Sequence, residues 1–269
     1  MSLHPRVAIV TGGGRGIGRT MALALAQAGA RVIVSAAREK AEIEAVADEA
    51  ERRLGERRIV PLVADVTRED DCARLVGAAT DRFGRLDVLV NNAGRGMKYV
   101  SETFITGPTR FWEVAPATWR MVIDANVVGP FLMARGAYDD RGRLGADRQH
   151  LDEPRDDAAA RLLALWAVES GARIRDDHLG AGFFRHGGDG QRAPAGRRDA
   201  DGLIPDGVAP KLKAQFLDPA IVGPPIVWLA FERSDGVTGR RFVAARWRTD
   251  LPEAEAAEAA ADMAGWTVG

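Results

Sequence analysis

Cysteine appears once, at Cys72, so no intrachain disulfide can form and a reducing compartment is expected. Tyrosine is confined to Tyr99 and Tyr138, and the positions four residues beyond them hold Thr103 and Gly142, not lysine. No apolar run reaches the length needed to span a bilayer. The opening MSLHPRVAIV lacks the long apolar core of a signal peptide, so the expected location is cytoplasmic. Neither sign of charge prevails: 37 Lys and Arg against 38 Asp and Glu give a net charge of −1, which draws neither nucleic acid nor an anionic membrane. Histidine is scarce too, and His150, His178 and His186 match no compact ligand spacing, so no metal is expected.

What remains is the composition of a soluble globular protein, 46% hydrophobic and 28% charged. Its 269 residues suffice for one domain with a full core, taken here as 1–269. The first half is strongly patterned. RVAIV is a short apolar strand, and TGGGRGIG is a glycine-rich turn. RTMALALAQAGA then has helical periodicity. RVIVSAAR, RIVPLVADV and RLDVLVNNAG read as further strands, separated by the amphipathic helices EKAEIEAVADEAERRLG and REDDCARLVGAATDRFG. This alternation predicts an α/β fold: a Rossmann-like, doubly wound parallel sheet covered on both faces.

Gly12, Gly16 and Gly18 lie between the first strand and its helix. Glycines there let backbone approach a pyrophosphate at a helix N-terminus, where free N–H groups and the helix dipole favour an anion. Thr11, Gly12, Gly16, Ile17 and Gly18, with NNAG at 91–94, resemble the short-chain dehydrogenase/reductase family. DANVVGPF at 124–131 resembles the family's helix with its active-site asparagine, here Asn126, and IVGPPIVWLAFERSDGVTGRRF resembles its stretch leading into the last strand. The likeness covers about 5–136 and 203–247. It implies that the glycine loop holds the cofactor diphosphate, that Asp65 and Val66 border the adenine, and that Asn92, Ala93 and Gly94 line the ribose and nicotinamide side. Asn92 also has a structural reading, as a tie between two strands.

An acid ending the second strand would bond the ribose hydroxyls of NAD and repel a 2′-phosphate. Here the strand ends SAAR, with no acid before Glu39, while Arg38 stands close by and Arg15 sits inside the glycine loop. Two cations without a carboxylate suit NADP better than NAD.

Residues 137–202 read differently. They hold no Thr or Lys, and their only β-branched aliphatic residues are Val168 and Ile174, so buried parallel strands five and six have no candidates there. A charged, glycine-rich insertion would explain the composition but not the missing strands. A reading one base out of step explains both. Allowed codons then turn ADRQHLDEP (146–154) into Arg-Ile-Val-Asn-Ile-Ser-Thr-Ser-Leu, and LWAVE (165–169) into Tyr-Gly-Pro-Ser-Lys. They also turn GDGQRAPAGR (188–197) into Val-Thr-Val-Asn-Val-Leu-Leu-Pro-Gly-Gly. The serine, tyrosine and lysine that the family uses are thus expected near Glu153, Leu165 and Glu169, in an aberrant segment that compromises central strands five and six.

In the intact family, tyrosine exchanges a proton with the substrate oxygen and lysine lowers its pKa and binds the ribose. Serine bonds the substrate, asparagine orders a water, and hydride moves to or from the nicotinamide. The expected function is an NADP-dependent oxidoreductase of small carbonyls or alcohols, forming a homo-oligomer when correctly folded. The chain as written is expected to be inactive. The alternative is a non-catalytic dinucleotide-binding pseudoenzyme or redox sensor. The loop 95–119 would flank the substrate, and Met97, Tyr99, Phe104, Phe111 and Trp112 either wall the substrate or pack the loop onto the sheet. The tail 252–266 is rich in helix formers.

Overall fold

In the computed structural model, residues 3, 6–101, 109–143, 217–234, 237 and 240–263 are described. β1 (Val7–Thr11), β2 (Arg31–Ala36), β3 (Ile59–Val63) and β4 (Val88–Val90) form a parallel sheet in the order β3-β2-β1-β4. Val7 pairs with Arg31 and Thr11 with Ser35 across β1 and β2, while Ala8 pairs with Val88 and Val10 with Val90 across β1 and β4. Strand order therefore grows outward from β1 to β3 and then jumps back to β4, which makes the carboxyl ends of β1 and β4 the switch point of the sheet.

The two-residue period of the strands sorts their side chains onto two cores. Ala8, Val10, Val32, Val34, Val88 and Val90 pack with α1 (Gly16–Gln27), α2 (Lys40–Leu54) and α6 (Gly223–Leu229), through Met21, Leu25, Ile43, Val46 and Ile226. Val7, Ile9, Ile33 and Leu89 pack on the other face with α3 (Glu69–Phe83) and α5 (Gly129–Arg143), through Leu75, Val76 and Met133. In α1 the buried residues are Gly18, Met21, Ala22, Leu25 and Ala26, the spacing of a single helix face. The doubly wound sheet expected from the strand–helix alternation is present in this half.

After β4 the chain runs through α4 (Pro116–Ile123), with proline at the helix start where no N–H is needed. A π-helical turn, Asp124–Val128, joins α4 to α5. Residues 137–143 continue α5; from 144 to 216 the aberrant segment and its expected strands five and six lie outside the described residues. No described helix is long and apolar enough to cross a membrane.

The C-terminal strand departs from expectation. The likeness to the family leads into a last strand, expected over 240–245, and a strand does form there, but it does not join β1–β4 among the described residues. Instead β5 (Arg240–Phe242) pairs antiparallel with β6 (Ala261–Met263), with Arg240 opposite Met263 and Phe242 opposite Ala261. The reason is electrostatic. β5 begins with two exposed arginines, which a buried parallel strand could not hold. Here Arg241 and Arg246 both pair with Asp262, at 2.9 and 2.8 Å, and Arg240 faces Glu258 of α7 (Glu253–Ala260) at 3.6 Å. Trp228 of α6 packs beneath against Phe242 and Trp247. The tail's helix formers thus become α7, which seats Ala257 on this small cluster.

Candidate active site

Thr11 ends β1 fully buried, and its hydroxyl ties the two strands of the switch point together. It donates to the Val90 carbonyl at 3.3 Å and accepts from the backbone N–H groups of Asn92 and Ala93, both at 3.0 Å. The Asn92 amide returns the contact, donating to the carbonyls of Thr11 at 2.9 Å and Gly12 at 3.0 Å. Asn92 is therefore the tie between β1 and β4 that its alternative reading foresaw, and it shapes the edge of the crevice by holding the glycine loop against NNAG.

The glycines fit this closeness. A Cβ on Gly18 would overlap the Gly12 carbonyl oxygen and the Asn92 amide nitrogen, so only glycine lets α1 start this close to β4. Gly16 is different. Its φ of +54° is left-handed, and a Cβ there would meet nothing within 4 Å. It faces open space at the first residue of α1. That helix has no side-chain cap at Arg15 and no acidic residue in its first turn, so its leading N–H groups keep their demand for an anion. Ile17 packs back on the core. The cradle fits a dinucleotide diphosphate.

On the far side of β2, Asp65 and Val66 follow β3. Asp65 accepts from the Thr67 N–H at 3.0 Å and hydroxyl at 2.8 Å, a side-chain turn that fixes the loop. Its own N–H donates to Asp71 at 2.8 Å. This bond, with Arg74 beside it, holds the Asp71 carboxyl below the usual carboxylate range. Val66 is buried, and a Cβ on Gly129 would press against it, so the start of α5 rests on this loop. Cys72 lies beneath, donating to the Val66 carbonyl at 3.3 Å. Burial, aided by nearby acids, pushes its thiol up to about 11, which leaves it unreactive.

Asn126 sits inside the π-helical turn, which widens the helix and turns this residue toward the loop after β4. Its Oδ1 accepts from the Arg95 N–H at 2.7 Å and its Nδ2 donates to the Arg95 carbonyl at 3.0 Å. A Cβ on Gly94 would come within 3.1 Å of that Oδ1. Asn126 and Gly94 are thus brought together. Both ends of the side-chain amide are engaged in fastening the loop. Next along the loop, Tyr99, Phe111 and Trp112 are exposed. These three rings therefore do not pack the loop onto the sheet. Phe104 lies outside the described residues.

The cationic corner holds a residue that sequence reasoning missed. Arg38 is exposed after β2, with no side-chain partner among the described residues. Arg15 has one: its Nη1 lies 3.5 Å from Oε1 of Glu42, in the first turn of α2. The end of β2 carries no acid, as read, but α2 delivers one to the glycine loop. The available signal was the position of Glu42 next to the apolar Ile43, which anchors that turn in the core. Glu153, Leu165 and Glu169, the expected places of the serine, tyrosine and lysine, lie outside the described residues. Among the described residues no cluster of histidine, cysteine and acidic side chains could hold a metal.

Known proteins resemble this chain over part of its length. A 3-oxoacyl-[acyl-carrier-protein] reductase from Synechocystis is 37% identical over 134 residues, covering 50% of this chain and 49% of that protein. An uncharacterized oxidoreductase from Mycobacterium tuberculosis is 45% identical over 95 residues, 35% of each chain. The crystal structure of a Brucella melitensis 3-ketoacyl-(acyl-carrier-protein) reductase complexed with NADH matches at 34% identity, covering 54% of this chain and 55% of that one, with a TM-score of 0.44. The chain thus spans about half the length, or less, of the curated relatives it matches. The sequence profile described as short chain dehydrogenase matches residues 6–145, over half of the chain and all of the crevice described above, and the chain belongs to that family.

Proposed function

We propose that this is an NADP-dependent oxidoreductase of small carbonyl compounds or secondary alcohols, in which the described half supplies the cofactor site. The observation that carries the reading is the open cradle at Gly16: an uncapped helix N-terminus without acids, at the switch point of a parallel sheet. Thr11, Gly12, Gly16, Ile17 and Gly18 would hold the diphosphate. Asp65 and Val66 would border the adenine, and Asn92, Ala93 and Gly94 the ribose and nicotinamide side. Arg38 and Arg15 would meet the 2′-phosphate, since guanidinium forks suit phosphate oxygens. The bound nicotinamide would supply the hydride chemistry. The protein's part is to exclude water, orient the substrate against the exposed rings of the 95–119 loop, and exchange a proton at its oxygen.

That last task needs the tyrosine and lysine, which the written sequence lacks. We propose that they are encoded out of frame at Leu165 and Glu169, with the serine near Glu153. General acid–base groups contribute about 10²–10⁴-fold. The written chain should therefore bind NADPH but turn over at most about a hundredth as fast as the frame-corrected chain. Both should be expressed and followed by cofactor absorbance over ketones, aldehydes and a 3-oxoacyl thioester, the last chosen because the Synechocystis relative is named for such a substrate. Comparable turnover by the written chain would refute the out-of-frame assignment. Binding without turnover by both would favour the second reading, a dinucleotide-binding pseudoenzyme, which the absence of the tyrosine–lysine pair supports. In the enzyme reading the protein is a cytoplasmic homo-oligomer, with the exposed Val127, Phe131 and Tyr138 along the π turn and α5 as the apolar surface available for assembly.

A further inference from the structure

We infer that Glu42 is a specificity-determining residue that competes with the cofactor's 2′-phosphate for Arg15 and so restrains the preference for NADP. The inference rests on the dinucleotide-binding reading above and extends it to a residue outside the glycine motif.

The geometry comes from three close approaches. The glycine loop is laced to the end of β2: the Gly13 N–H donates to the Ser35 carbonyl at 2.9 Å, and a Cβ on Gly13 would lie 2.9 Å from Val34. It also lies against α2, because a Cβ on Gly14 would meet Glu42 Cβ at 3.0 Å and Ile43 Cγ2 at 3.3 Å. Ile43 is fully buried in the core, so it fixes the turn of α2 that carries Glu42. The result is Glu42 Oε1 at 3.5 Å from Arg15 Nη1, beside the end of β2 where a dinucleotide fold places the adenosine ribose.

The pair is loose, with the Arg15 side chain 41% and the Glu42 side chain 31% exposed. Such a pair yields readily to a better partner. Yet Ile43 keeps the turn that carries Glu42 against the glycine loop, so its carboxylate stays within reach of this corner. A 2′-phosphate brought to Arg15 gains the guanidinium and meets the charge of Glu42 beside it, while a ribose hydroxyl meets no such repulsion. The net effect lowers phosphate affinity and leaves the unphosphorylated nucleotide unaffected. Arg38, exposed and unpaired among the described residues, is untouched by this competition.

The test uses fragments that occupy only this corner: 2′,5′-ADP and 5′-AMP, titrated calorimetrically. The proteins are the full chain and its frame-corrected counterpart, which share residues 6–101. Glu42→Gln should tighten 2′,5′-ADP about three- to tenfold, as expected for an exposed ion pair acting on a multiply charged phosphate, and leave 5′-AMP unchanged. Glu42→Lys should tighten it further. In an Arg15→Gln background the Glu42→Gln effect should shrink, because the competed group is gone. Unchanged or weakened 2′,5′-ADP binding in both Glu42 variants, with 5′-AMP still bound, would overturn the inference alone. Failure of every protein to bind either nucleotide would overturn the dinucleotide reading and the inference with it.

Discussion

Gly16 and Gly18 stand two residues apart in one motif and answer to different physical demands. At Gly18 the constraint is space: a methyl group would overlap the Gly12 carbonyl and the Asn92 amide. At Gly16 the constraint is conformation, since φ is +54° and nothing lies within 4 Å, and on the proposed reading that open space is the diphosphate cradle. Gly18→Ala should therefore lower folding stability on the order of 1–3 kcal/mol, as overpacking does, and weaken NADPH binding through the distorted loop. Gly16→Ala should cost roughly 1–2 kcal/mol for its left-handed backbone. Its methyl group would enter the cradle, so binding should be lost more completely than stability. Denaturant titration beside NADPH fluorescence titration separates the two. If Gly16→Ala lost stability without losing affinity, the open space before it would not be the diphosphate cradle.

Between elements, the turn from β3 into α3 is held by charge. Asp71 accepts the Asp65 N–H and pairs with Arg74 at 2.8 Å, while Glu69 and Asp70 stand with it in the first turn, where the helix dipole favours acids. The folded state holds the Asp71 carboxyl below the usual carboxylate range, through the Asp65 N–H and the Arg74 guanidinium. Its stabilising contribution is therefore complete above the unfolded value and is lost as pH falls through the lower folded value. Asp71→Asn should reduce stability near neutrality by about 1 kcal/mol and flatten the acid limb of the stability profile below pH about 4. An unchanged acid limb would mean that Asp71 does not couple to folding. The sequence made this half legible because apolar alternation and the glycine loop are local signals. The β1–β4 crevice followed from RVAIV and TGGGRGIG as local signals, and from NNAG by its likeness to the family. The contact of Glu42 with Arg15 was not legible, because it depends on how closely α2 packs on the loop, 27 residues away. The antiparallel partner of 240–242 was hidden for the same reason: Asp262, which neutralises Arg241, lies 21 residues on. Asn126 was found by likeness, but its bond to the Arg95 backbone arises only from the π turn.

For the whole molecule, Cys72 offers a measure of whether the sheet is closed. It is the chain's sole cysteine, buried on α3 against the loop after β3, in the core that Leu89 of β4 and Met133 of α5 complete. With its thiol pushed up to about 11 by burial, it reacts with a disulfide reagent only when this core opens. β4 pairs with β1 on one side, and under the out-of-frame proposal the strand expected on its other side would be supplied only by the corrected frame. The Asn91 Nδ2 on that strand's end is buried without a partner among the described residues, a polar group that a further strand could satisfy. Adding strands five and six would cover α5 and β4 and raise the free energy of every opening that exposes Cys72. Labelling at pH 8 should therefore be slower in the frame-corrected protein than in the written chain by about tenfold for each 1.4 kcal/mol gained. Bound NADPH should slow it further in the corrected protein, since a ligand bound only to the closed state adds to its stability. Equal labelling rates in the two chains would show that the described half closes without the central strands, and would count against their restoration as a condition of folding.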